Sequence, residues 1–188
     1  MKTMHEDPKG TSAAVTDGRG ALPKPWLVAY TRVNYERKAE AALKALGYEV
    51  YRPVQREWHR WSDRRKLVER VVIPMLLFVR TDPRGADAAV RLSFITHFLR
   101  VPGTARLAEV PDCQVSSFRF LLENAPSSVL LEPSDIKKGD KVKVRCGKLK
   151  GLVGYVRHSR DGGAKITITI DNLGCASVSV DIGDLMLA

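Results

Sequence analysis

Val71-Val72-Ile73-Pro74-Met75-Leu76-Leu77-Phe78-Val79 is a run of nine apolar residues bounded by Arg70 and Arg80. A membrane-spanning helix needs about 20 apolar residues, so this run reads as a strand inside a soluble sheet. A strand with one wet face alternates apolar and polar residues, and this one does not. Both its faces are therefore covered, either by the fold itself or on one side by a partner. Pro74 has no amide to give to a ladder and places the Ile73-Pro74 end at an edge, a bulge or the first residue of the regular strand.

Around this run the chain divides by texture. Residues 1–24 mix Gly, Pro, Ser, Thr and charge without period and are expected to be a flexible tail. Trp26 to Arg32, WLVAYTR, reads as a strand. Asn34 then offers an N-cap to a helix with Tyr35, Ala39, Ala42, Leu43 and Leu46 on one stripe and Glu36, Arg37, Lys38, Glu40 and Lys44 on the solvent face. Gly47 supplies its stop. WHRWSDRRK, Trp58 to Lys66, lies between two extended stretches and predicts a hairpin. Asp82-Pro83-Arg84-Gly85 predicts a turn, Ala86 to Leu92 a short helix, and HFLRV from His97 a brief strand. A last helix follows Pro111 with Val115, Phe118, Leu121 and Leu122 as its stripe. This order predicts an α+β domain over 25–124, its helices lying against one sheet.

Residues 125–135, APSSVLLEPSD, have the composition of a linker, although Val129 to Leu131 are apolar enough to dock on a neighbour. From 136 to 188 valine and isoleucine alternate with lysine, serine and threonine, and Gly147, Gly151 and Gly154 punctuate the strands. Five short strands in about 50 residues predict a small closed all-β barrel.

The 188 residues are 44% hydrophobic, enough for a packed core, and carry a formal charge of +10. That balance favours a polyanionic partner, most often nucleic acid. Cys113, Cys146 and Cys175 are widely spaced, with no CxxC or Cys/His cluster, so neither a disulfide framework nor a structural zinc site is indicated. The N-terminus has no apolar segment of signal-peptide length, and a reducing, cytoplasmic location is expected. His5, His59, His97 and His158 are scattered, and there is no Walker A, GxSxG or HExxH motif. No enzymatic activity, metal or cofactor is expected.

Gly139 to Val156, GDKVKVRCGKLKGLVGYV, resembles the KOW motif, in which the glycine matching Gly151 lets the chain bend tightly between two barrel strands. With WLVAYTRVNYERKAEAAL before it and VERVVIPMLLFVRTDP between, the order resembles the NusG family of transcription elongation factors. It looks most like the specialised RfaH-like and UpxY-type antiterminators of capsular polysaccharide loci, through the WSDR segment at Trp61 to Arg64 with Lys66 and Val68-Glu69. Two departures stand out. The family's Phe-Pro-Gly-Tyr is here Ile73-Pro74-Met75-Leu76, and its Phe-Gly-Arg near the end of the barrel is Leu173-Gly174-Cys175.

The resemblance implies an NGN-type domain that seats an apolar depression on the clamp helices of the RNA polymerase β′ subunit. Matched onto this chain, the depression involves Tyr30, Ile73, Pro74, Leu76 and Phe78. The hairpin, with six Lys or Arg in residues 56–70 against three acids, is expected to meet non-template DNA or nascent RNA through Trp58, Arg60, Trp61, Arg64, Arg65 and Lys66. Its bland alternative is a solvated loop whose tryptophans cap the core. The barrel, an SH3-like KOW domain by resemblance, would recruit a further protein through Lys143, Arg145, Lys148, Lys150 and Leu173. Residues 137–160 hold nine Lys or Arg and one acid, Asp140. A rival reading is therefore an RNA-binding or ribosome-associated module acting through the basic barrel.

Overall fold

A computed structural model describes residues 24–60, 64–132, 139–158 and 164–188. The first 23 residues, expected to form a tail, and Trp61 lie outside the described residues. The chain forms an α+β domain followed by an all-β domain, as the sequence predicts.

In the first domain β1 (Trp26–Thr31) lies at the centre of an antiparallel sheet, with β5 (Leu76–Arg80) on one side and β2 (Glu49–Tyr51) beyond it. On its other side β1 pairs with β6 (Ile95–Phe98) and, nearer its start, with β7 (Glu109–Val110). Strand alternation sends the two sets of side chains to opposite faces. Leu27, Ala29, Leu77 and Val79 pack with Ala39 and Leu43 of α1 (Glu36–Ala45) and Ala86 and Ala89 of α2 (Pro83–Val90). Trp26, Val28, Leu76 and Phe78 pack with Val115, Phe118, Leu121 and Leu122 of α3 (Asp112–Asn124). Helices thus cover both faces of this one sheet. The indole of Trp26 donates to Asp112 at 2.9 Å and ties the start of β1 to the start of α3.

The nine-residue apolar run is divided between two strands. Val71 closes β4 (Arg65–Val71), which forms a separate hairpin with β3 (Val54–Arg60), and Leu76 opens β5. Between them the chain turns, because Pro74 gives no ladder hydrogen bond and Met75 is left-handed at φ 57°. Both faces of β5 are filled by this chain, which resolves the opening alternative in favour of the fold.

Two helix starts also differ from expectation. In α1 the capping position is Tyr35, which makes no side-chain cap, while Asn34 is left-handed. The stripe keeps Ala39 and Leu43 buried as expected but differs at its ends: Glu36 is buried and Tyr35 and Leu46 are exposed. Asp82-Pro83-Arg84-Gly85 is the first turn of α2, not a free turn, with the Asp82 carboxylate accepting from Gly85 N at 2.8 Å.

The second domain is a six-stranded antiparallel sheet in the order β13 (Leu185–Leu187), β9 (Lys141–Val144), β10 (Val153–His158), β11 (Ala164–Ile170), β12 (Gly174–Val180), β8 (Leu130–Glu132). The predicted five strands are joined by β8, drawn from the stretch read as linker, because Leu130 to Glu132 find open ladder positions opposite Ser177 to Cys175. Gly151, at φ 92°, makes the tight bend between β9 and β10, its amide donating to Val144 O at 2.9 Å. The inward Val142, Val144, Ile166, Ile168, Ile170, Ala176 and Val178 continue without a break into the apolar layer beneath α3.

Only Ala125 to Val129 connect α3 to β8, and this connection is held by the β3–β4 hairpin. The Gln55 side chain is 2% exposed; its amide donates to Ser127 O at 2.8 Å and its carbonyl accepts from Val129 N at 2.9 Å. Arg70 donates to Val129 O at 3.0 Å and to Gln55 Oε1 at 2.8 Å. Ser128 donates to Glu57 at 2.9 Å. Gln55→Ala would leave the Val129 amide buried without its acceptor. It is expected to cost about 1–3 kcal/mol in urea unfolding, with Glu57→Ala, a more exposed partner, costing less.

Candidate docking turn and nucleic-acid hairpin

The residues expected to dock on polymerase separate into two sets. Pro74 is exposed and Tyr30 half-buried, its ring stacked on His97 with centroids 4.8 Å apart. Ile73 is 8%, Leu76 1% and Phe78 0% exposed. Phe78 lies between the Tyr51 ring, stacked at 5.9 Å, and the Phe118 ring, edge-on at 6.2 Å. In this structure Leu76 and Phe78 are core residues under α3, and no partner can reach them while α3 stays in place. Burial pushes the Tyr51 phenol well above its ordinary range, and the Arg119 guanidinium stacks over its ring at 4.6 Å.

The surface at this end of the sheet is built from the turn before β5 and its neighbours. Thr31 N donates to Met75 O, and Met75 N donates to a Glu36 carboxylate oxygen, both at 2.8 Å. Pro74 and Met75 are exposed, and the Thr31 bond sets their turn one residue along β1 from Tyr30, whose ring stacks on His97. Sequence reasoning misses Met75 and His97. The signal available is a methionine standing where the family pattern has glycine.

The β3–β4 hairpin has two different faces. Its register sets Trp58 opposite Leu67, Arg60 opposite Arg65 and Arg56 opposite Glu69. Trp58 is 72% exposed, and Arg60, Arg65 and Lys66 are exposed. Trp58, Arg60 and Arg65 line one shallow depression. Trp58 therefore does not cap the core; it presents an open indole flanked by two guanidinium groups, the arrangement that stacks on bases and neutralises phosphates. Arg64, also exposed, follows the tip. Gln55, Glu57 and Arg70, on the other face, grip residues 127–129.

At the root of the hairpin Arg52 bridges Glu40 at 2.8 Å and Glu69 at 3.0 Å. The hydrogen bond from Arg52 holds the Glu69 carboxyl below its ordinary value. Partial burial works against Glu40, but Lys44 and Arg52 outweigh it and lower its pKa too. This basic strand pair is thus moored by acids at its base and left cationic toward its tip.

On the second domain Lys143, Arg145, Lys148 and Lys150 are all exposed on or beside the β9–β10 hairpin. Arg145 N donates to Asp184 O at 2.7 Å, fixing that hairpin to the segment before β13. Leu173 differs: it is half-buried against the shared apolar layer. Its loop faces the first domain, with Asp171 N donating to Gln114 Oε1 at 2.7 Å and the Asn172 amide to Glu109 O at 3.3 Å. Leu173 is therefore an interdomain residue here, set apart from the four cations.

An α+β domain with an exposed turn at one sheet end, an aromatic and basic hairpin, and an appended β domain defines a module for binding macromolecules. The chain belongs to the NusG family of transcription factors: the family model described as "Transcription termination factor nusG" matches residues 24–119. Among solved structures, one described as "Domain interaction in Thermotoga maritima NusG" is 18% identical, covering 87% of this chain and 97% of that one, with a TM-score of 0.45. The MjSpt4:Spt5 complex, conformation B, is 14% identical over 87% and 96% of the two chains, with a TM-score of 0.29. No curated protein matches the chain. No helix among the described residues is long and apolar enough to cross a membrane.

Proposed function

We propose that this chain is a transcription elongation and antitermination factor that docks on the β′ clamp helices of RNA polymerase and suppresses pausing and termination at particular operons, of the capsular polysaccharide type. The observation that carries the reading is the exposed Pro74-Met75 turn beside Tyr30, within the region that matches the family model. Docking there needs no chemistry. A factor that binds the closed clamp more tightly than the open one shifts the population away from paused states. The Trp58 hairpin meets the exposed non-template strand, and the cations of the β9–β10 hairpin meet a further protein or the transcript. Operon specificity is supported by the WSDR segment and by the aliphatic docking turn.

The test uses the full chain with purified core RNA polymerase. Tyr30→Ala is expected to weaken binding by about tenfold or more, as loss of an interfacial aromatic does, with little change in thermal midpoint. Wild-type protein is expected to shorten pauses on a capsular-locus leader more than on an unrelated template. Normal polymerase binding by Tyr30→Ala would refute the docking surface. Equal effects on both templates would refute the specialisation.

A further inference from the structure

The turn that presents Pro74 and Met75 is braced by a buried charge from another element. We infer that Glu36 is a positioning residue for polymerase docking, its carboxylate holding the Pro74-Met75 turn in the shape that the partner meets. The inference rests on the docking reading above.

Glu36 lies in the first turn of α1 and is 8% exposed, although a glutamate is almost never buried unless paired. It forms no ion pair among the described residues. Its carboxylate accepts a hydrogen bond from the Met75 backbone amide, at 2.8 Å. Met75 stands at φ 57°, a left-handed conformation that disfavours any residue with a Cβ. Its carbonyl is tied to Thr31 N at 2.8 Å. Both backbone groups of a strained residue are thus satisfied, and the amide is satisfied by an acceptor that carries charge. Such strain persists only where the surroundings over-determine it, and it concentrates at sites that meet partners. Thr31 follows Tyr30, so the Thr31 bond fixes the turn one residue along β1 from the ring that stacks on His97. Without the carboxylate the turn loses its stronger anchor and relaxes away from the left-handed conformation, carrying the Met75 side chain with it.

Amide hydrogen exchange and binding to core RNA polymerase, measured on the full chain, test this. Glu36→Ala is expected to speed exchange of the Met75 amide by about tenfold to a hundredfold, the range set by losing a hydrogen bond to a charged group, while β1 and β5 amides stay protected. Polymerase binding is expected to fall by about tenfold with it. Glu36→Gln, which keeps an acceptor oxygen, is expected to recover most of both. A freed Met75 amide with unchanged binding would overturn the inference, as would lost binding with Met75 exchange unaltered. If Glu36→Ala does not fold, Glu36→Gln decides: exchange and binding must weaken together by a smaller factor, and a change in only one, or in neither, overturns it. Tyr30→Ala in parallel separates the premises, since its normal binding would remove the docking surface itself, whatever Met75 does.

Discussion

Phe78→Ala is expected to destabilise the protein by about 3–5 kcal/mol, the loss that follows removal of a fully buried phenylalanine. The ring is 0% exposed between Tyr51 and Phe118, so its deletion opens a cavity between the sheet and α3. Had the family's docking depression been open here, the same substitution would leave stability nearly unchanged and abolish polymerase binding. Urea unfolding distinguishes the two. A loss below about 1 kcal/mol, typical of a surface position, would mean that α3 does not hold its place over β5 in solution. Leu76→Ala, at 1% exposure, is expected to follow Phe78→Ala at about 2–5 kcal/mol. Any weakening of polymerase binding by either variant is then expected to follow from lost folding, and under the proposed docking Tyr30, Pro74 and Met75 are the positions at which binding is expected to change alone.

Combined replacement of Trp58, Arg60 and Arg65 by alanine carries the second large effect. Loss of one aromatic stacking platform costs about 1–3 kcal/mol in single-strand binding. Deleting a side chain that neutralises a phosphate flattens the plot of log affinity against log salt by about 0.7 for single strands, or about 1.4 for the two arginines together. Binding of a single-stranded oligonucleotide is therefore expected to fall at least tenfold at low salt and to become less salt-sensitive. The hairpin stays folded, because Gln55, Glu57 and Arg70 anchor it from the opposite face. An unchanged salt slope would assign the phosphate-binding role elsewhere, with Lys143, Arg145, Lys148 and Lys150 the next candidates.

Much of this architecture is legible in local pattern. The stripe of Val115, Phe118, Leu121 and Leu122 is the buried face of α3, the strands flanking Trp61 pair as a hairpin, and Gly151 makes the bend the KOW resemblance assigns it. What escapes is what depends on distant partners. An apolar strand reads identically whether its second face meets a helix of its own chain or another protein, so its period is compatible with a core place for Phe78 and Leu76, and only the family resemblance sets them against a partner; here they are core. Glu36 reads as a solvent residue because the group it serves is a backbone amide 39 residues away, invisible to helical periodicity. Residues 125–135 have linker composition, yet Ser127 and Val129 among them are held by Gln55 and Arg70 on a hairpin over 50 residues earlier. From sequence Trp58 is balanced between capping the core and facing solvent. Only the register with Leu67 and its 72% exposure turn it outward.

The mooring of residues 127–129 also decides where this protein can be divided. Val129, 0% exposed, belongs to the same apolar cluster as Phe118 on one side and Ile166 on the other. Severing the chain after Asn124, where composition changes, would strip Gln55 of both its backbone partners and uncover the underside of α3. Severing it after Glu132 would instead deprive β12 of β8, one of its two neighbours. Neither of these cuts keeps all the contacts described above: the pieces recognisable as separate modules in sequence are here co-owners of one apolar cluster.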